Sequence, residues 1–288
     1  MPRPGHLLSL AVLSLLAACG DDGVGTPAVP SPTQTEGYLT RGELRTGWVL
    51  GPDGAPREIT FEVQGELAIV EGDIVIGEAD RIPATREGLE RMGRGGPRLG
   101  VVVDGTSYRW PAAVVPYVLA KNLPDKQKVL DAMAHIEALT GNVDFVARTS
   151  QADYINVVAG SGCSSWVGRQ GGAQQVEIGR WCGFGAAVHE LSHALGMHHE
   201  QSRCDRGAYV EILYQNIQQG AAYNFDAQCT GYSDLFEYAE GSVMHYGPTA
   251  FSKNGQPTIR SLRGLDHLMG QRVGLGATDI TTINALYP

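Results

Sequence analysis

Apolar residues recur at helical spacing in three stretches of the chain. From Asp125 to Leu139 the side chains of Val129, Met133, Ile136 and Leu139 share one face, and Gly141 closes the segment, so a helix is predicted there. A second helix begins near Phe184, and a third runs from Thr278 to Tyr287 with Ile280, Ile283 and Leu286 inward. Short strands are predicted at 143–146, 154–158 and 174–178. Cys163 to Gly168 reads as an edge strand able to pair with an extended peptide. Tyr108 to Leu119 is also strand-like, although Pro111 and Pro116 limit its regular pairing. After Glu200 regular patterning thins until the last helix.

Upstream, strand-like patches at Glu58 to Val63 and Leu67 to Ile76 give way to a polar stretch rich in Arg and Gly from Arg86 to Arg98. This organises the chain into residues 37–98 as a separate accessory segment and residues 99–288 as one sizeable domain. Arg91 to Arg98 holds three arginines among flexible residues, a site for a trypsin-like activating enzyme, with the mature domain starting near Arg98 to Val102.

Met1 to Ala18 reads as a targeting segment rather than as fold. Arg3 supplies the positive start, Leu7 to Ala18 the short apolar run, and small residues end it. Leu16-Ala17-Ala18-Cys19-Gly20 resembles a bacterial lipobox, which would lipidate Cys19; the alternative is a plain secretory signal cut after Ala18. Residues 19–36, with Pro27, Pro30 and Pro32 among Thr and Ser, then form a flexible tether. The expected outcome is a lipoprotein of the bacterial envelope, at the outer membrane or the cell surface, with release after processing left open. Attachment is by the lipid alone, because no later stretch is apolar for long enough to span a bilayer. The 288 residues carry 22 basic and 31 acidic side chains, net −9, which argues against nucleic acid as a partner. A monomer is expected.

The chemistry concentrates in His189-Glu190-Leu191-Ser192-His193-Ala194-Leu195-Gly196-Met197-His198-His199. His189 and His193 are four apart and point the same way from a helix. A third ligand six residues on requires the helix to stop and the chain to turn back, and Gly196 supplies that turn. Three imidazoles can then converge on zinc at about 2.0–2.1 Å and leave a coordination position open. His198 breaks the ligand spacing. Glu190 follows the first ligand without taking a ligand position. Zinc lowers the pKa of coordinated water to about 7, and a neighbouring carboxylate can take the proton as that water attacks a carbonyl. The reaction this predicts is peptide-bond hydrolysis, with protein or peptide as substrate.

Ser242-Val243-Met244-His245-Tyr246-Gly247 resembles the methionine turn of the metzincins. Together with Glu200, the Arg203/Asp205-Arg206 cluster, and Cys163-Ser164-Ser165-Trp166-Val167-Gly168-Arg169 before Gly172-Ala173-Gln174-Gln175-Val176, it resembles the astacin family, from about Tyr108 to Tyr287. The resemblance implies an α+β metzincin fold, with an upper half of twisted mixed sheet and two long helices, an irregular lower half, and the cleft between them. It implies that His189, His193 and His199 bind zinc and that Glu190 is the general base. Tyr246 would be a further, displaceable ligand that stabilises the transition state, and Met244 the apolar floor under the metal. Glu200 would meet the new amino terminus of the mature enzyme. Val70-Glu71-Gly72-Asp73-Ile74 resembles the F-x-G-D motif of astacin propeptides, with Val70 in place of the aromatic. There the aspartate ligates zinc and silences the precursor, which makes Asp73 the latency ligand.

With Cys19 lipidated, four of the five cysteines remain in an exported domain, where pairing is favoured. Cys163 and Cys182 look like a pair that the family has. Cys204 and Cys229 are left as a natural second pair, whose connectivity sequence alone does not establish. The bridge that animal astacins carry from the first long helix to the carboxyl end has no counterpart, since Asn142 follows Thr140-Gly141 and the chain stops at Pro288. An acidic side chain after the cut bond is a family preference, and Lys253 and Arg260 are candidates for the matching cation. Two other readings stay open: a non-catalytic, zinc-containing surface binding lipoprotein, and a zincin of another family, against which the turn at Ser242–Tyr246 argues.

Overall fold

The computed structural model describes residues 42–51, 54–93, 96–97, 106–230 and 233–288. Cys19, the segments 1–18 and 19–36, and the expected mature start near Arg98 to Val102 lie outside the described residues. Among the described residues no helix is long and apolar enough to cross a membrane.

A nine-stranded mixed sheet organises the molecule. Its strands are β1 (Glu43–Leu50), β2 (Pro56–Gln64), β3 (Leu67–Val70), β4 (Ile74–Glu78), β5 (Val114–Leu119), β6 (Asp144–Ala147), β7 (Tyr154–Val158), β8 (Cys163–Trp166) and β9 (Ala173–Ile178). They lie in the order β1-β2-β3-β4-β8-β9-β7-β5-β6. The first four form an antiparallel meander, and β5, β6, β7 and β9 pair in parallel. The join between the two groups is β4 running parallel to β8, with Ile74 opposite Ser165 and Val75 opposite Trp166.

That join corrects two expectations. β8 is not an edge strand, because β4 occupies the side an extended peptide would use. The accessory segment is likewise not separate, since its small core of Val49, Phe61, Ala68, Val70, Ile74 and Ile76 closes over Val167 of the larger domain. The apolar patch from Leu67 to Ile76 is also two strands rather than one. Glu71 (φ 49) and Gly72 (φ 77) are left-handed and turn the chain back on itself. The polar stretch after Arg86 begins as helix α1 (Arg86–Met92), capped by Thr85 and anchored by Leu89 alone, too little apolar periodicity to be read from sequence.

Helix α2 (Lys126–Thr140) forms as predicted: the Asp125 side chain accepts from the Lys128 amide, and Gly141 ends the helix in the left-handed region. Val129, Met133 and Ile136 are buried, but Leu139 is exposed, and Ala132 and Thr140 take the other inward places. The segment before β5 is two short 3-10 turns, so the strand is confined to Val114–Leu119. Helix α3 (Phe184–Leu195) lies against α2 and β8, and α4 (Ala277–Leu286) closes the core with Ile283 and Leu286. Between α3 and α4 the described residues are mostly irregular, with short 3-10 turns and one small pair of strands, β10 (Val210–Ile212) and β11 (Ile259–Ser261). A third apolar core forms there around Phe225, Tyr246 and Phe251. Asn142 donates to the Tyr287 carbonyl at 2.8 Å, tying the end of α2 to the end of α4.

Candidate metal centre

Helix α3 is buried along nearly its whole length, and its end is fixed by hydrogen bonds to its last four carbonyls. Such carbonyls have no partner within the helix. Here the Ser192 carbonyl accepts from Met197 N at 3.0 Å, and His193 O accepts from Gly196 N at 2.7 Å and Gly168 N at 2.8 Å. Ala194 O takes the Trp110 indole at 2.8 Å and Leu195 O the Tyr287 hydroxyl at 2.9 Å. Gly196 (φ 111) then reverses the chain and brings His199 back toward the helix. At the other end of α3, a Cβ on Gly185 would fall 1.7 Å from the Arg272 carbonyl oxygen. Gly185→Ala is therefore expected to destabilise the protein by about 1–3 kcal/mol through overpacking, read as a lower denaturation midpoint.

The histidine side chains meet as the motif requires. One ligand atom from each of His189, His193, His199 and Asp73 lies within 4.8 Å of the other three, and all four residues are buried. Each histidine is oriented from behind: Nδ1 of His189 donates to Val243 O at 2.8 Å, that of His193 to Met197 O at 2.7 Å, and that of His199 to a Glu71 carboxylate oxygen at 2.9 Å. With Nδ1 carrying the proton, each Nε2 presents its lone pair to the common centre. Three such nitrogens plus a carboxylate are a donor set that fits zinc. Asp73 holds the middle, its carboxylate 3.1 Å from His189 Nε2, 3.1 Å from His199 Nε2 and 3.6 Å from His193 Nε2.

Burial alone would push the Asp73 carboxyl up, but the three histidines outweigh it and hold it well below the usual carboxylate range. Burial lowers the His189 pKa to about 3, keeping that imidazole neutral as a ligand must be. For His199 burial also lowers the pKa, but without a metal Asp73 and Glu71 together overcome it and raise it to about 9, so a bound zinc would have to displace the Nε2 proton.

Around this centre lie the other residues singled out in the sequence. Glu190 is buried on α3 beside His189. Met244 is fully buried, packed in the same core as α3, with its carbonyl accepting from Glu200 N at 3.1 Å. Its turn is held by Asp279, which accepts from Ser242 Oγ at 2.5 Å and Val243 N at 2.9 Å. Tyr246 lies beside His199, ring centroids 4.8 Å apart, and its hydroxyl donates to the Glu71 carbonyl at 2.5 Å. Glu200 is raised to about 7 by burial, with Arg203 opposing. It accepts from Ala239 N at 2.8 Å and borders a cavity of about 80 Å³ shared with Met197, Asp234 and Asp279. Both disulfides form, Cys163–Cys182 and Cys204–Cys229. Arg260 is exposed and paired with Glu211 across β10 and β11.

Glu71, Trp110, Tyr287 and Asp279 were not singled out in the sequence. Only the N-terminal place of Asp279 on its helix carried any signal, because the others act through partners distant along the chain.

The profile of the astacin peptidase family matches residues 102–288. Blastula protease 10 of Paracentrotus lividus is 36% identical over 295 residues, covering 98% of this chain and 47% of that protein. Protein SpAN of Strongylocentrotus purpuratus is 33% identical over 296 residues, covering 97% of this chain and 46% of that protein. The chain thus spans about half the length of these relatives. Among solved structures, high choriolytic enzyme 1, a hatching enzyme zinc-protease from Oryzias latipes, aligns with a TM-score of 0.58 at 37% identity, covering 62% of this chain and 92% of that one. With the metzincin fold, the three-histidine centre and the match across the whole larger domain, the chain belongs to the astacin family of metallopeptidases.

Proposed function

We propose that this chain is a zinc-dependent endopeptidase that hydrolyses peptide bonds in proteins, made as a latent precursor and exported. The observation that carries the reading is the convergence of His189, His193 and His199, with Glu190 buried on the same helix directly after the first of them. Zinc, when bound there, supplies a Lewis acid that acidifies water and polarises a carbonyl. Glu190 would take the proton of the attacking water and deliver it to the departing amine. The Tyr246 hydroxyl, beside His199, would donate to the oxyanion of the transition state. Met244 supplies an apolar floor beneath the histidines.

Latency is supported by two contacts of the 37–98 segment. Asp73 sits among the three Nε2 atoms, where a fourth ligand would otherwise be water. β4 lies along β8, the strand on which an extended substrate could add. Removal of the segment would uncover both. Glu200, at the wall of its small acidic cavity, would then receive the new amino terminus.

Export is supported by the sequence of residues 1–19, and two disulfides in the domain fit an oxidising compartment. Lipidation at Cys19 would tether the enzyme to the bacterial envelope, and residues 19–36 would act as the leash.

The test is the full chain carrying Asp73→Ala, incubated with an unfolded protein. Cleavage is expected to rise about tenfold or more over the uncut wild-type chain, equivalent to at least about 1.4 kcal/mol of blocking lost. Mass spectrometry of the fragments would report the sites. An equally silent variant with bound zinc would assign latency to the β4–β8 pairing and not to the Asp73 carboxylate.

A further inference from the structure

Glu71 makes more contacts to the centre than the motif that contains it explains. Its carboxylate accepts from His199 Nδ1 at 2.9 Å, from Ser202 Oγ at 2.6 Å and from Gln228 Nε2 at 3.2 Å. Its carbonyl accepts from the Tyr246 hydroxyl. It is 4% exposed, and it holds φ 49, a backbone conformation that a residue with a side chain adopts only at a cost. That strain points the main-chain oxygen at Tyr246 while the side chain reaches His199.

The asymmetry among the three histidines is the informative part. His189 and His193 are oriented by carbonyls of Val243 and Met197, which belong to the larger domain. His199 alone is oriented by a carboxylate, and that carboxylate sits on the 37–98 segment. A carboxylate on the far nitrogen of a ligating histidine fixes its tautomer and raises its basicity, and loss of such a partner typically lowers metal affinity about 10–100-fold.

We propose that Glu71 is a positioning residue for the metal centre: the accessory segment supplies the carboxylate partner of His199 and so strengthens zinc binding in the precursor, independently of Asp73. This rests on the latent-precursor reading and deepens it, because the segment then both blocks the centre and secures its metal. Its removal would leave a mature enzyme that holds zinc less tightly for two separable reasons.

The experiment uses the full uncut chain in five forms: wild type, Glu71→Ala, Glu71→Gln, Asp73→Ala and the double alanine variant. Zinc affinity is measured by equilibrium competition with a chromophoric chelator, with folding checked by circular dichroism. Glu71→Ala is expected to weaken zinc binding about 10–100-fold, and by a similar factor again when Asp73 is already alanine. Glu71→Gln keeps an acceptor for His199 without the charge and should restore part of the loss. Unchanged affinity in folded Glu71→Ala would overturn the proposal. So would an effect that vanishes in the Asp73→Ala background, since Glu71 would then act only by seating Asp73. Should Glu71→Ala misfold, an unchanged affinity in Glu71→Gln overturns the proposal in the same way. Latency is read separately from the Asp73→Ala chain: silence there with the Glu71 effect intact defeats the blocking role and not this one.

Discussion

Glu190→Ala will slow protein cleavage by the chain freed of residues 37–98 about 10²–10⁴-fold, the usual contribution of a positioned acid/base group. That range corresponds to about 2.7–5.4 kcal/mol of transition-state stabilisation. Glu190 follows His189 on α3, so its carboxylate is carried by the same rigid, buried helix as two of the ligands. It is not among the clustered ligand atoms, and its removal leaves the donor set whole. Zinc content and denaturation midpoint should therefore stay near wild type while cleavage collapses. Glu190→Gln keeps the volume and hydrogen-bonding shape but no longer accepts a proton at neutral pH, and it should be equally inactive. Fragment mapping by mass spectrometry, with each variant beside wild type, makes the comparison. Cleavage at wild-type rates by either variant would remove Glu190 from the mechanism and reopen the binding-protein reading.

What could be read in the sequence was local or tied to a fixed spacing. The histidine motif encodes its own geometry, because four residues make one helical turn and Gly196 forces the return. The helix at Lys126–Thr140 carried its cap at Asp125 and its stop at Gly141 as well as its apolar face. Leu139 misled for a physical reason: at about 100° per residue it lies at the margin of the face centred on Val129 and Ile136, and Thr140, one residue on, takes the buried place in the last turn. The contacts that complete the centre were not legible. Glu71 meets His199 across 128 positions of chain, and Trp110 meets Ala194 across 84. Nor could alternation along β8 disclose that β4 fills its open side, since that pairing joins segments distant in sequence. The family resemblance supplied Asp73, and the fold then put it among the three histidines.

Trp110→Ala should destabilise the protein by about 3–5 kcal/mol, the range for losing a large buried aromatic side chain. Trp110 is 2% exposed and packs in the core shared by α2 and α3. Its substitution removes bulk and also the indole donor to Ala194 O. Without that donor a buried helix-end carbonyl next to His193 is left unsatisfied, at about 1–3 kcal/mol. Trp110→Phe separates the two contributions, because it keeps much of the apolar volume and loses the N–H. Urea denaturation gives the measurement: a lower midpoint at unchanged slope reports stability alone. If Trp110→Phe falls between wild type and alanine, the indole hydrogen bond is part of what fixes the carboxyl end of α3. In that case cleavage should fall as well, since His193 sits in the turn being loosened. If Trp110→Phe matches wild type, the residue acts through bulk, and Gly196, Gly168 and Tyr287 suffice to hold the end of the helix in place.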